Sequence, residues 1–120
     1  MKRLPRLALA SLALVALAAC GALKYHGSGT YHASKIFSCD GGGEVFITLM
    51  GESGSLTVDV YEDGGARPHL FGQTFAPSAV ERTESYEFPA QAGDEGSDWE
   101  VFVETNHDWK GKFEVTFECL

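Results

Sequence analysis

At 120 residues, the chain has room for one small domain once any targeting segment is set aside, and 44% hydrophobic residues give that domain an ordinary globular core. Seventeen acidic against nine basic residues leave a net charge of -8, which repels nucleic acid and anionic lipid and argues against phosphate-backbone recognition. Three cysteines, 14 glycines and 12% aromatics fit a compact exported β domain and exclude a disordered or fibrous chain.

The N-terminus reads as an address. Lys2, Arg3 and Arg6 form a positive n-region, and Leu7 to Ala19 is uncharged with Ser11 as its only polar residue. That run is about 13 residues, whereas a membrane-crossing helix needs roughly 20, so residues 1–19 are expected to be a cleavable export signal. The quartet Leu17, Ala18, Ala19, Cys20 resembles the lipobox of bacterial lipoprotein precursors. The resemblance implies cleavage just before Cys20, a diacylglyceryl group with palmitate-type acyl chains on its thiol, and a membrane-tethered life in the cell envelope. Gly21 after the cysteine, where an aspartate would favour inner-membrane retention, implies the outer membrane if the source has two. Two or three acyl chains hold far more firmly than the marginal grip of one myristoyl chain. Cleavage removes three basic and no acidic residues, leaving 6 against 17, a charge of -11.

Residues 20–33 follow as an expected flexible tether: Gly27, Ser28 and Gly29 interrupt any hydrophobic period, and such a segment reaches about 20 Å. His26 and His32 within it, beside Tyr25 and Tyr31, lack the cysteine or carboxylate companions of a metal site. With Cys20 assigned to lipid, Cys39 and Cys119 are the thiols left to form a disulfide in an oxidising compartment; the alternative is two buried free thiols. Closing a loop of about 80 residues stabilises by roughly 4.5 kcal/mol in the chain-entropy model.

Residues 34–120 alternate apolar and polar with no helical stripe, so the domain is expected to be all-β: a small antiparallel β-sandwich of about seven strands, jelly-roll-like. The strands are predicted at 35–39, 44–50, 55–62, 68–75, 84–89, 98–105 and 112–119, between Gly, Asp and Ser clusters. Val45, Ile47, Leu49, Leu56, Val58, Val60, Trp99, Val101, Val103, Phe113, Val115 and Phe117 should point inward, with Thr57, Asp59, Glu100, Glu104, Glu114 and Glu118 on the wet faces. The last two strands are expected to form a hairpin in which Val101 pairs with Val115, since that register sets Glu104 against Lys112 and avoids opposing carboxylates. Thr105 to Gly111 then forms its long connection and displays His107, Asp108, Trp109 and Lys110.

Chemistry-bearing motifs are sparse. Gly51 to Ser55 lacks the G-x-S-x-G order of a nucleophile elbow, and Gly41 to Gly43 lacks the lysine and helix of a phosphate cradle. His107 beside Asp108 has no nucleophile near it in sequence, so no catalytic residue is assigned and an enzyme is not expected. The acidic turns at Glu62 and Asp63 and at Asp94, Glu95 and Asp98 depart from the calcium-loop pattern; they are solvated, or weak candidates for Ca²⁺. Trp109, in a polar loop, is either a recognition anchor for a sugar or protein, with His107 and Asp108 beside it, or a lid over the end of the core.

LTVDVYEDGG at 56–65, YEFPAQAG at 86–93, WEVFVE at 99–104 and GKFEVTFEC at 111–119 resemble the strand and turn grammar of bacterial pre-peptidase C-terminal domains. That resemblance implies a jelly-roll-like fold and a noncatalytic accessory role. FSCDGG at 37–42 and the Gly65, Ala66, Arg67 triplet resemble membrane-bound inhibitors of C-type lysozyme, from whose motif Gly64 and Pro68 depart. The leading expectation is a noncatalytic envelope lipoprotein that binds an envelope protein or a glycan, needs no cofactor and avoids nucleic acid. The alternatives are a lysozyme inhibitor and a calcium-dependent or glycan-binding module.

Overall fold

The computed structural model describes residues 21–39, 41–63, 70–89 and 98–120. Among them are eight strands and no helix: β1 (Leu23–Ser28), β2 (Tyr31–Ser38), β3 (Gly43–Ser53), β4 (Leu56–Asp63), β5 (Phe71–Phe75), β6 (Arg82–Phe88), β7 (Asp98–Thr105) and β8 (Lys110–Cys119). Sheet one runs β1-β8-β3-β6 and sheet two runs β2-β7-β4-β5. Every pairing is antiparallel. Of consecutive strands, only β4 and β5 are neighbours in one sheet, and the others alternate between the sheets. This is the eight-stranded jelly-roll order.

Period-two patterning produces the core directly. All twelve residues predicted to face inward are buried, none more than 7% exposed, because successive side chains of a strand point to opposite faces and only one face of each sheet meets its partner. Leu23, Phe37, Cys39, Phe75, Phe88 and Trp109 complete the core. Each fully buried aliphatic or aromatic side chain contributes about 1.5–3 kcal/mol, offset against the entropy of ordering the chain. At one end of the core, Trp99 and Phe117 (centroids 5.5 Å apart) pack with Phe37 and Phe88. At the other end Tyr25, Tyr31, Trp109 and Phe113 do the same.

The disulfide joins Cys39, just after β2, to Cys119 at the end of β8, with Cα atoms 5.4 Å apart. It therefore clamps sheet two to sheet one at the Trp99–Phe117 end. Cys119 is also followed by Leu120, whose amide donates to the Gly42 carbonyl at 3.0 Å.

Three expectations are corrected. Residues 23–33 are not a tether: they form β1 and the start of β2. Leu23 and Tyr25 turn inward, Leu23 opposite Val115, and Tyr25 stacks on Tyr31 at 4.2 Å with rings 7° from parallel. Two inward residues suffice for an edge strand, and glycines mask the alternation. With β1 included, the strands number eight rather than about seven. The last two strands are not a hairpin. β7 and β8 lie in different sheets: Val101 faces Lys35 and Val60, while Val115 faces Leu23 and Ile47. Alternation fixes which face a residue takes and leaves its neighbour strand open, so charge pairing alone favoured the wrong partner. The strand predicted at 68–75 begins at Phe71, and Pro68 and His69 lie outside the described residues. Residues 1–19 and Cys20 also lie outside them. No helix among the described residues is long and apolar enough to cross a membrane.

Candidate functional site

Trp109 is a core side chain. Only 1% of it is exposed, and its ring meets Phe113 edge-on at 6.0 Å. The crossing from β7 to β8 is pinned from several sides: Asn106 and Ser55 exchange hydrogen bonds, Ser53 Oγ donates to the Asp108 carbonyl at 2.7 Å, and the Gly29 amide donates to the Trp109 carbonyl at 2.9 Å. His107 and Asp108 stay on the surface, their side chains 84% and 67% exposed and 3.4 Å apart. Ser53, the hydroxyl tied to this loop, is bonded to backbone and not to the imidazole. The loop thus separates its three candidates, one inward and two into solvent.

Of Asp94, Glu95 and Asp98, only Asp98 is among the described residues. It accepts from Ser38 Oγ at 2.8 Å, while Gly65, Ala66 and Arg67, like Asp94 and Glu95, lie outside the described residues. Among the described residues no group of three His, Cys, Asp or Glu side chains is placed to hold a metal ion. His26 and His32 fall on the outer faces of different sheets, opposite Lys112 and Glu104 respectively. Glu62 is buried at 2% exposure, in register with Trp99 on the inner face of sheet two.

The outer face of sheet two carries a different constellation. Register sets Ser34, Phe102, Asp59 and Gly72 in one row across β2, β7, β4 and β5, with His32, Glu104, Thr57 and Thr74 in the row on one side and Ile36, Glu100 and Tyr61 in the row on the other. Tyr61 and Phe102 meet edge to face, centroids 5.3 Å apart and planes at 83°. Phe102 is 38% and Ile36 53% exposed. A surface depression of about 510 Å³ is lined by His32, Ser34, Asp59, Tyr61, Phe102 and Glu104, within the size range of a small-molecule site. Thr57 and Thr74 share a hydroxyl hydrogen bond of 2.9 Å at its margin. The face is apolar at its centre and acidic at its rim, so it can stack a weakly polar ring and accept hydrogen bonds from hydroxyl or ammonium groups around it.

One tyrosine has a perturbed acidity. Tyr86, on β6 where sheet one meets the β5 margin of sheet two, donates to Glu84 Oε1 at 2.9 Å and packs on Phe71 at 4.6 Å. Burial, then the hydrogen bond to Glu84 and the charge of that carboxylate, hold its phenol above the ordinary tyrosine value. Arg82 engages the other oxygen of Glu84 at 3.1 Å. The group is locked as a structural brace and offers no free base.

Sequence reasoning placed Asp59, Glu100 and Glu104 on a wet face and passed over Tyr61 and Phe102 beside them. The signal was present: each aromatic occupies the polar phase of its strand, Tyr61 two residues after Asp59 and Phe102 between Glu100 and Glu104.

No protein-family model matches the chain, and no curated protein matches it. Solved structures share its fold at low identity. TmCBM61, determined in complex with β-1,4-galactotriose, superposes with a TM-score of 0.52 at 13% identity, covering 81% of this chain and 68% of its own. The enzymatically active domain of tailspike protein 4 from bacteriophage CBA120 superposes with a TM-score of 0.54 at 9% identity, covering 81% of this chain and 15% of its own. A CBM4 structure superposes at 0.49 and 11% identity, covering 74% of this chain. This chain spans 59% of that CBM4 protein's length. The two likenesses with TM-scores above 0.5 agree with the β-sandwich fold.

Proposed function

We propose that this chain is a noncatalytic glycan-binding sandwich held on the cell envelope by a lipid on Cys20, with the outer face of sheet two as its binding surface. The Tyr61–Phe102 pair, with Phe102 exposed and Tyr61 half-buried beside it, carries the reading. An aromatic pair in the polar phase of its strands presents a ring surface on the outer face, and the exposed part of Phe102 is apolar area that a ligand can cover. The C–H face of a pyranose matches such rings, and Asp59, Glu104, Ser34 and His32 stand around them to bond its hydroxyls. Glu100, Glu104 and Asp59 make the surface acidic, which selects neutral or amino-substituted sugars over uronic acids at this face. The resemblance of Leu17 to Cys20 to a lipobox supports the lipid anchor, and Gly21 supports an outer-membrane address.

Affinity electrophoresis of the full-length chain in detergent, through gels containing β-1,4-galactan or chitosan, tests the binding. Retardation is expected with at least one of the two polymers, and Tyr61→Ala and Phe102→Ala should each weaken it about tenfold or more. If both variants migrate like the parent protein in a gel that retards it, this face is not the binding surface.

A further inference from the structure

The outer face of sheet one concentrates the positive charge. From Cys20 onward the chain has six basic residues, and three of them, Lys24, Lys110 and Lys112, sit on the outer side of the β1–β8 pair. Lys24 faces Glu114 across the strands, and Lys110 lies 3.5 Å from Glu52. Lys112 is placed differently: its cross-strand neighbours are His26 on one side and Met50 on the other. No acidic side chain lies within ion-pair distance of it among the described residues. In an acidic protein this juxtaposition leaves a lysine outside any ion pair in a cleft.

Two adjoining cavities, of about 260 and 900 Å³, share His26, Met50 and Lys112. Gly27, Gly111 and Gly51, in a row across β1, β8 and β3, line the larger one. A Cβ on Gly51 would come within 2.5 Å of the Lys110 carbonyl oxygen, so the two strands approach there as only glycine allows. Pro77, Ser78 and Ala79 form its far wall, held by the Gly51 amide donating to the Ser78 carbonyl at 2.8 Å. The smaller cavity adds Thr48, Glu81 and Glu114 as acceptors.

We infer that this cleft is a second binding site, for a sugar bearing one anionic group, with the carboxylate or phosphate between His26 and Lys112. Glu81 and Glu114 exclude a second negative charge and accept hydrogen bonds from hydroxyls, Met50 takes the apolar edge of the ring, and Ser28 and Thr48 complete the polar rim. The site is independent of the aromatic face: the two lie on opposite sides of the sandwich.

Titration of the full-length chain in detergent micelles with glucuronate, glucose 6-phosphate and glucose, read from the His26 imidazole signals by NMR, decides the matter. A saturable shift with either anion is expected, with glucose about tenfold weaker or silent, and Lys112→Gln should lose about tenfold in affinity. Glucuronate alone, glucose 6-phosphate alone or both identifies the anionic group. Tyr61→Ala should leave this binding unchanged, so failure of the glycan reading of sheet two would be seen separately. Absence of a shift with both anions, unaltered affinity in Lys112→Gln, or an equal loss in Lys35→Gln, whose lysine lies outside the cleft, overturns the proposal.

Discussion

Trp109 shows how a single side chain is committed by contacts far away in sequence. Its indole closes the Tyr25–Tyr31–Phe113 end of the core, and its backbone is bonded to Gly29 and Asn106. Gly54, at φ +90°, lies so close that a Cβ there would sit 2.3 Å from the Trp109 Cα. The buried indole N–H has no hydrogen-bond acceptor among the described residues, a cost that the apolar contacts of the ring outweigh. Trp109→Ala should therefore cost about 3–5 kcal/mol in a denaturant curve, because truncating a packed tryptophan leaves a cavity, while glycan retardation stays unchanged. A loss below about 1 kcal/mol would show that the ring is dispensable to the core. The sequence offered this lid over the end of the core only as one of two readings, because the polarity of Asn106, His107, Asp108 and Lys110 describes the loop's solvent side. The inward turn of the indole depends on Ser55 and Gly29, which no local pattern connects to it.

Within elements, legibility followed the amplitude of the alternation. β3, β4, β7 and β8 each carry three or more apolar residues in one phase, and their buried faces were plain in the sequence. β1 has Leu23 and Tyr25 and then Gly27, too short a run to stand out, although the same phase brings Leu23 against Val115. Strand partners were not legible, since consecutive strands of a jelly roll mostly cross between sheets and no residue in the crossing announces it. The cysteines were the exception, because a covalent link is set by count and compartment. Cys39 and Cys119 clamp the two sheets at one end, 80 residues apart in sequence. Reduction, or Cys39→Ser with Cys119→Ser, should remove about 2–5 kcal/mol, lowering Tm by roughly 10 °C or more in a domain of this size. Calorimetry with and without reductant measures it; identical melting curves would mean that packing alone holds the sheets.

At the scale of the whole molecule, the position of β1 changes how the chain would sit on a membrane. Only Gly21 and Ala22 separate Cys20 from Leu23, a link of about 10 Å at full extension, so a lipid on Cys20 would seat the sandwich against the headgroups rather than on a long stalk. A chain of charge -11 after cleavage gains nothing from anionic lipid and is repelled by it. Attachment through the proposed lipid on Cys20 would then be hydrophobic, by acyl chains whose hold grows by about 0.8 kcal/mol per buried methylene. Two consequences separate this from charge-driven adsorption. Washing membranes with high salt should leave the protein in the pellet, and detergent should release it, since screening acts on Coulomb attraction and not on acyl burial. Cys20→Ala should lose metabolic palmitate label and move to the soluble fraction with its melting transition intact, because β1 and everything packed on it lie beyond the altered residue. Equal palmitate incorporation in wild type and variant would place the lipid elsewhere, and release of the wild type by salt alone would remove the anchor and with it the close seating of the sandwich on the bilayer.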